Sequence, residues 1–397
     1  MSTRFHRFRP LFILLVLFVG CAAVWSAWHK EAKQSYLQVL QRAREIGLTT
    51  TVQDDIQSSR PVEDNAMDLY ARAISLAETA PEIQKKRFSD VSADMWKEIE
   101  GWSEVLALIE QATKKPVCVF PRPTLDSDPS RAPSHTDRFF PVLVDSCHVI
   151  GARAVLRSKE GDVQGALDDL RTVVRVSESM RNEPYLLSQA VRLNLCDAAV
   201  RALEMVLPNC GSAVDALEQI ELTSVRGAIL QGVRDQVTSF VGFYDHDADL
   251  GMFGFLRWPL FDPYIMNSKS RHIGYLCDYT ELLSSSYPVA IPAAKALETK
   301  KINTVGFLGK DLHLRMGALV EKEAWMESRI YATHLAARLM DHEKRIGQRI
   351  RSLEELGEAG KTRDPITSKP YGLTTRDGTR QLKSPDQENP VWTFRTI

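Results

Sequence analysis

Apolar positions along this chain recur mostly with the period of a helix, but one stretch is apolar on every side. From Leu11 to Trp28 no charged residue interrupts the run, and Arg4, Arg7 and Arg9 precede it. About 18 helical residues at roughly 1.5 Å each extend roughly 27 Å, close to a hydrocarbon core of about 30 Å. A basic flank before such a run is retained in the cytoplasm, and tryptophans such as Trp25 and Trp28 favour the opposite interface. The pattern predicts a single-pass membrane protein with its N-terminus cytoplasmic and the bulk of the chain extracytoplasmic.

Three fates fit the run. Ala22 to Trp28 prolongs it beyond the core of about 7–15 residues found in a cleaved signal, which favours a retained signal anchor. Phe18-Val19-Gly20-Cys21 resembles a loose lipobox, with Phe18 where leucine is usual, and makes Cys21 a candidate for lipidation. Cleavage near Ala22 or Ala23 is the third. All three put residues 30–397 outside the cytoplasm.

Helical periodicity continues from Lys30 to Ile46 and ends at Gly47. Asp64-Asn65 offers side-chain acceptors for a helix start, followed by Ala66, Tyr70, Ala73, Ile74 and Ala77. A further helix is predicted from about Trp96 to Thr113. Five prolines from Pro116 to Pro133 then enforce a loop. The clearest signal runs from Phe139 to Val237: one helix to Ser158, a break at Gly161-Asp162, a second from Val163, a third opened by Pro184 and closed by Pro208, and a fourth, longer or interrupted, from Leu217 to Val237. Residues 240–310 carry aromatics without a sustained period, apart from a helix at Arg271 to Leu283. A long helix is expected from Lys310 to Arg345, and Asp377-Gly378 suits a hairpin turn.

The expected fold class is therefore mainly α: an N-terminal transmembrane helix, an irregular antiparallel helical-hairpin domain and a small C-terminal α+β hairpin appendage. The expected division is residues 1–29 for the cytoplasmic tip and anchor, 30–239 for the hairpin domain, 240–345 for the aromatic-rich segment and long helix, and 346–397 for the tail.

Charge narrows the function classes. Fifty basic residues against 51 acidic ones leave no global field to attract nucleic acid, which is not expected as a partner. Beyond the anchor, Cys118, Cys147, Cys196, Cys210 and Cys277 are odd in number and widely spaced, which reads as small packing residues more than as a disulfide scaffold. No cofactor motif is expected. Gly306 to Asp311 lacks both the first glycine and the hydroxyl residue of a phosphate loop.

Metal chemistry has one candidate. Asp245, Asp247 and Asp249 alternate as in the first half of a calcium loop, but Leu250 takes the sixth position and Leu256 stands where a bidentate glutamate belongs. A solvated acidic turn fits these departures better. Cys147 and His148 are adjacent and point about 100° apart on a helix, so they do not form a nucleophile–base pair. His334 and His342 lack metalloprotease spacing. Carboxylates among the aromatics of residues 240–280, including Asp262 and Asp278, offer a hydrolase reading based on a carboxylate pair.

Two local resemblances and one broad one add to this. Ser158-Lys159-Glu160-Gly161-Asp162-Val163-Gln164-Gly165-Ala166-Leu167 resembles the turn and second helix of a tetratricopeptide repeat, without a second copy downstream. The order of anchor, Asp64-Asn65-Ala66 with Tyr70, Cys118-Val119-Phe120-Pro121, the Gly161-Asp162 hairpin and Asp364-Pro365 is similar to a group of uncharacterised membrane-anchored helical bacterial envelope proteins. Their endings carry Gly-x-Tyr-Pro-x-Ser-Leu-x-Glu-Leu and Asp-Pro-x-x-Gly-x-Pro. Here Arg349-Ile350 replaces Tyr-Pro and Ser368 replaces the turn glycine. That tail also resembles the globular end of pseudopilin-like proteins. The resemblance implies architecture and localisation and carries no activity.

Together these readings predict a membrane-tethered extracytoplasmic binding or scaffolding protein, non-catalytic, held by its N-terminal helix and engaging a protein partner in the envelope. An exported hydrolase with its site near residues 240–280, and an accessory component of a secretion or pilus-like machine, are the alternatives.

Overall fold

A computed structural model describes residues 5–48, 64–81, 87–118, 132–183, 186–234, 259–302, 316–376, 379–384 and 391–395. The fold is mainly helical, with a small antiparallel three-stranded sheet near the C-terminus. The helices are α1 (Phe5–Glu45), α2 (Met67–Ala77), α3 (Met95–Glu100), α4 (Ser103–Ala112), α5 (Ala132–Lys159), α6 (Val163–Ser179), α7 (Leu186–Val206), α8 (Ala213–Ile220), α9 (Ala228–Arg234), α10 (Asp262–Leu283), α11 (Tyr287–Ile302) and α12 (Met316–Ile346). The strands are β1 (Gly372–Arg376), β2 (Thr379–Lys383) and β3 (Trp392–Arg395).

These elements form two compact units. The first comprises Met1–Ile56, Arg234–Glu281 and Ala296–Leu314, and the second Gln57–Val233, Leu282–Lys295 and Arg315–Ile397. In the first, α1 and α10 lie side by side. Trp25 Nε1 donates to the Leu260 carbonyl at 3.0 Å, the Ser35 and Ser270 hydroxyls meet at 2.8 Å, and Arg42 pairs with Asp278 and Glu281. Partner numbers rise together along both helices, so the pair runs parallel. The Lys269 ammonium lies 5.7 Å from the centre of the Tyr36 ring, a cation–π contact between them.

The second unit is built on α5, α6 and α7, which pack against one another along their lengths. The turn between α5 and α6 needs Gly161 at φ +88, and Asp162 then caps α6 by accepting from Gly165 N. Ala154 and Ala166 are fully buried beside this turn, where short side chains let the helices close. Arg153 of α5 reaches Asp169 of α6 and Glu110 of α4, tying three helices through charge-assisted bonds. Phe139–Lys159, within α5, is also apolar and long enough to cross a membrane, yet 67% of its most apolar window is buried, the condition of a core helix.

Several elements depart from the expected ones. The helix anticipated from Trp96 to Thr113 is two, α3 and α4, because Trp102 turns out of helical geometry (φ −102, ψ 1) and donates its Nε1 to the Pro81 carbonyl. The fourth helix, expected as longer or interrupted, takes the interrupted form: it stops at Glu221, which adopts φ +60, and resumes as α9. α10 begins nine residues before Arg271, at Asp262, and α11 was not anticipated. β3 extends the expected hairpin to three strands, pairing Trp392 with Leu382 so that both side chains are buried.

Candidate functional site

Among the described residues the second unit contains a cleft of about 410 Å³ bounded by the 3₁₀ turn Phe88–Asp90, α5 and α7. Its floor is aromatic. Phe88 is 6% exposed and stacks on His148 with ring centres 4.9 Å apart. Gly151 makes room for that ring, since a Cβ there would stand 2.8 Å from Phe88 Cζ.

One wall is α7, which contributes Asn194, Asp197, Arg201 and Glu204 at helical spacing on a single face. α12 supplies the charges behind this wall. The Arg329 guanidinium, 5% exposed, bridges Asp197 Oδ1 and Glu204 Oε1, and Lys322 donates to Asn194 Oδ1. Arg329 also lies 5.9 Å from the Trp325 ring centre. The second Asp197 oxygen accepts from Arg201 Nε at 2.6 Å. Burial raises the Glu204 carboxyl above its ordinary value, opposed by Arg329. Arg87 completes the lining, and its guanidinium makes no hydrogen bond or ion pair among the described residues.

A second cavity, of about 490 Å³, lies between Leu207–Cys210 and Met340–Arg349. Among its charged groups, Glu343 pairs with Arg380, and Asp341 and Lys344 hold the segment that opens α8. Asp341 accepts from Ala213 N, Val214 N and the Ser212 hydroxyl, and Lys344 donates to the Gly211 carbonyl. Burial pushes the Cys210 thiol up to about 11, so it carries little thiolate at neutral pH.

The residues singled out in the sequence fall as follows. Asp245, Asp247 and Asp249 lie outside the described residues, as does Gly306 to Asp311. Cys21 is exposed on α1. Cys147 is buried in the core, whereas His148 stacks at the cleft. His342 Nδ1 lies 3.0 Å from Arg345 Nη2. No group of three His, Cys, Asp or Glu is arranged to hold a metal among the described residues. Asp278 pairs with Arg42. The cleft residues Arg87, Asp197, Glu204 and Arg329 were not anticipated. The readable signal was the polar stripe Asn194, Asp197, Arg201 and Glu204 on α7, a helix that is otherwise largely buried.

Comparison with protein-family models, curated proteins and solved structures finds no match for this chain.

Proposed function

We propose that the protein is a membrane-tethered binding or scaffolding protein of the cell envelope, non-catalytic, with α1 crossing the bilayer once and the residues beyond it extracytoplasmic. One observation carries this reading. Every side chain from residue 14 through 24 of α1 is exposed, including Leu14, Leu15, Leu17, Phe18 and Val19. A helix that is apolar all round and covered by no protein calls for a lipid environment. The boundary supports the same placement: Trp25, the first residue after the exposed stretch, is also the first bonded to the α10 region, and tryptophan favours the interface. Binding is favoured over catalysis because Asp197 and Glu204 are both engaged by Arg329 and so are poorly placed as acid and base.

Alkaline carbonate extraction of cells expressing the tagged full chain tests the tether. The protein stays in the membrane pellet, and a Leu14→Arg/Leu17→Arg variant is released, since each central arginine opposes insertion by about 2.5–3.5 kcal/mol. Wild-type protein in the supernatant would overturn the reading. Mapping the mature N-terminus separates the anchors: a chain retaining residues before Cys21 fits a spanning helix, and a lipid thioether on an N-terminal Cys21 replaces it with a lipoprotein. In-cell crosslinking then tests the partner, a reproducible, near-stoichiometric envelope protein being the expected result.

A further inference from the structure

We propose that the cleft of the second unit binds a small organic anion, a carboxylate or phosphate on a flat or apolar body, with Arg87 and Arg201 taking the charged head. This rests on the binding reading above and names the ligand chemistry of its site. Among the lining residues and the charged groups they bond directly, four cations (Arg87, Arg201, Lys322 and Arg329) face three carboxylates (Asp90, which accepts from the Ser89 hydroxyl, Asp197 and Glu204), leaving the cations in excess.

The excess is not evenly shared. Arg329 is neutralised by direct contact with both carboxylates. Arg201 donates only Nε to Asp197, and its two terminal nitrogens make no hydrogen bond among the described residues. Arg87 has no ion pair at all among them. Two guanidinium groups with unused donors on one cleft suit a carboxylate or phosphate, whose oxygens accept parallel N–H bonds.

A cationic ligand fits poorly. Both Asp197 oxygens are already occupied, and displacing Arg329 would leave a buried guanidinium without its partners. The remaining lining describes the body of the ligand. The half-buried His148 ring, backed by the buried Phe88, offers a flat surface, Ala198 and Met205 add apolar wall, and Asn194 keeps its Nδ2 as a donor after accepting from Lys322. At about 410 Å³ the cleft lies within the size range of small-molecule sites.

Calorimetric titration of the detergent-purified full chain with benzoate, phenyl phosphate and neutral benzyl alcohol tests this. At least one of the two anions binds saturably with one site per chain, benzoate alone indicating a carboxylate ligand and phenyl phosphate alone a phosphate one. Benzyl alcohol does not bind. Arg87→Gln and Arg201→Gln each weaken the anion by roughly tenfold or more, the effect of losing a charge-assisted bond. Lys361→Gln removes the same charge from an exposed site elsewhere in the unit and leaves affinity unchanged. The proposal is overturned if neither anion binds, if benzyl alcohol binds as well, or if the arginine variants, folded with unaltered Tm, bind like wild type. Such a failure leaves the carbonate result standing, and a failed tether leaves this titration untouched.

Discussion

Ser368 holds φ +59 in the turn between the 3₁₀ segment Leu353–Lys361 and β1, which Asp364 organises. The Asp364 carboxylate, fully buried, accepts from the Ser328 and Ser384 hydroxyls and from the Thr367 amide and hydroxyl. Its backbone closes the same turn, accepting from Ser368 N and donating to the Lys369 carbonyl. These bonds hold a side-chain-bearing residue in the left-handed region, which costs an L-residue about 1–2 kcal/mol relative to glycine. Ser368→Gly, despite its greater unfolded-state entropy, is therefore expected to raise stability by about 0.5–1 kcal/mol, read as a higher denaturation midpoint at unchanged m. An unchanged or lower midpoint would refute it. The departure at Ser368 was visible in the sequence. The network of donors around Asp364 was not, because Ser328 and Ser384 reach Asp364 only through the packing of α12 and the sheet.

Among the elements, the break between α8 and α9 shows how far periodicity reaches. Leu217, Ile220, Val225, Ile229 and Val233 keep an apolar rhythm, and all are buried, yet the chain leaves the helix at Glu221. What stabilises the restart lies on α12. Glu323 accepts from Gly227 N at 3.1 Å and Ile229 N at 2.7 Å, while Glu327 accepts from Val225 N and the Ser224 hydroxyl. The bare amides at the start of α9 are thus satisfied by carboxylates from a distant helix, and Tyr287 donates its hydroxyl to Glu323 as well. Burial raises the Glu323 carboxyl, opposed by these bonds. Glu323→Ala strands two amides and the Tyr287 hydroxyl and is expected to cost about 2–4 kcal/mol of unfolding free energy by denaturant titration. A loss below about 0.5 kcal/mol would show the amides are satisfied otherwise. In the sequence, nothing about Glu323 and Glu327, four apart on a helix, points to amides about 100 residues away. The split between α3 and α4 escaped for the same reason, since the Pro81 carbonyl that holds Trp102 belongs to another part of the chain.

Taken as a whole, the molecule carries six free cysteines, of which Cys147, Cys196 and Cys277 are buried. Burial pushes Cys118 up to about 12 and Cys196 to about 11, so neither ionises appreciably at neutral pH. With Cys210 similarly raised, at most one thiol, Cys21, is expected to react with a disulfide reagent in the native protein at pH 7.5, and all six after denaturation. Two or more reactive native thiols, or fewer than six in the denatured chain, would contradict this arrangement. The sequence by itself determined where most helices lie and which stretch is apolar on all sides. Side-chain period and the absence of charge are local properties, and neither needs a neighbour to be read. Asn194, Asp197, Arg201 and Glu204 also recur at helical spacing, a polar stripe that by itself pointed to no site. Only the tertiary structure decided that the stripe lines a cleft, that Arg329 from α12 neutralises its two carboxylates, and that Arg87 arrives with its guanidinium uncommitted. Those outcomes depend on charges brought together from segments far apart in the chain, and their pairing is settled by packing, which one-dimensional spacing does not encode.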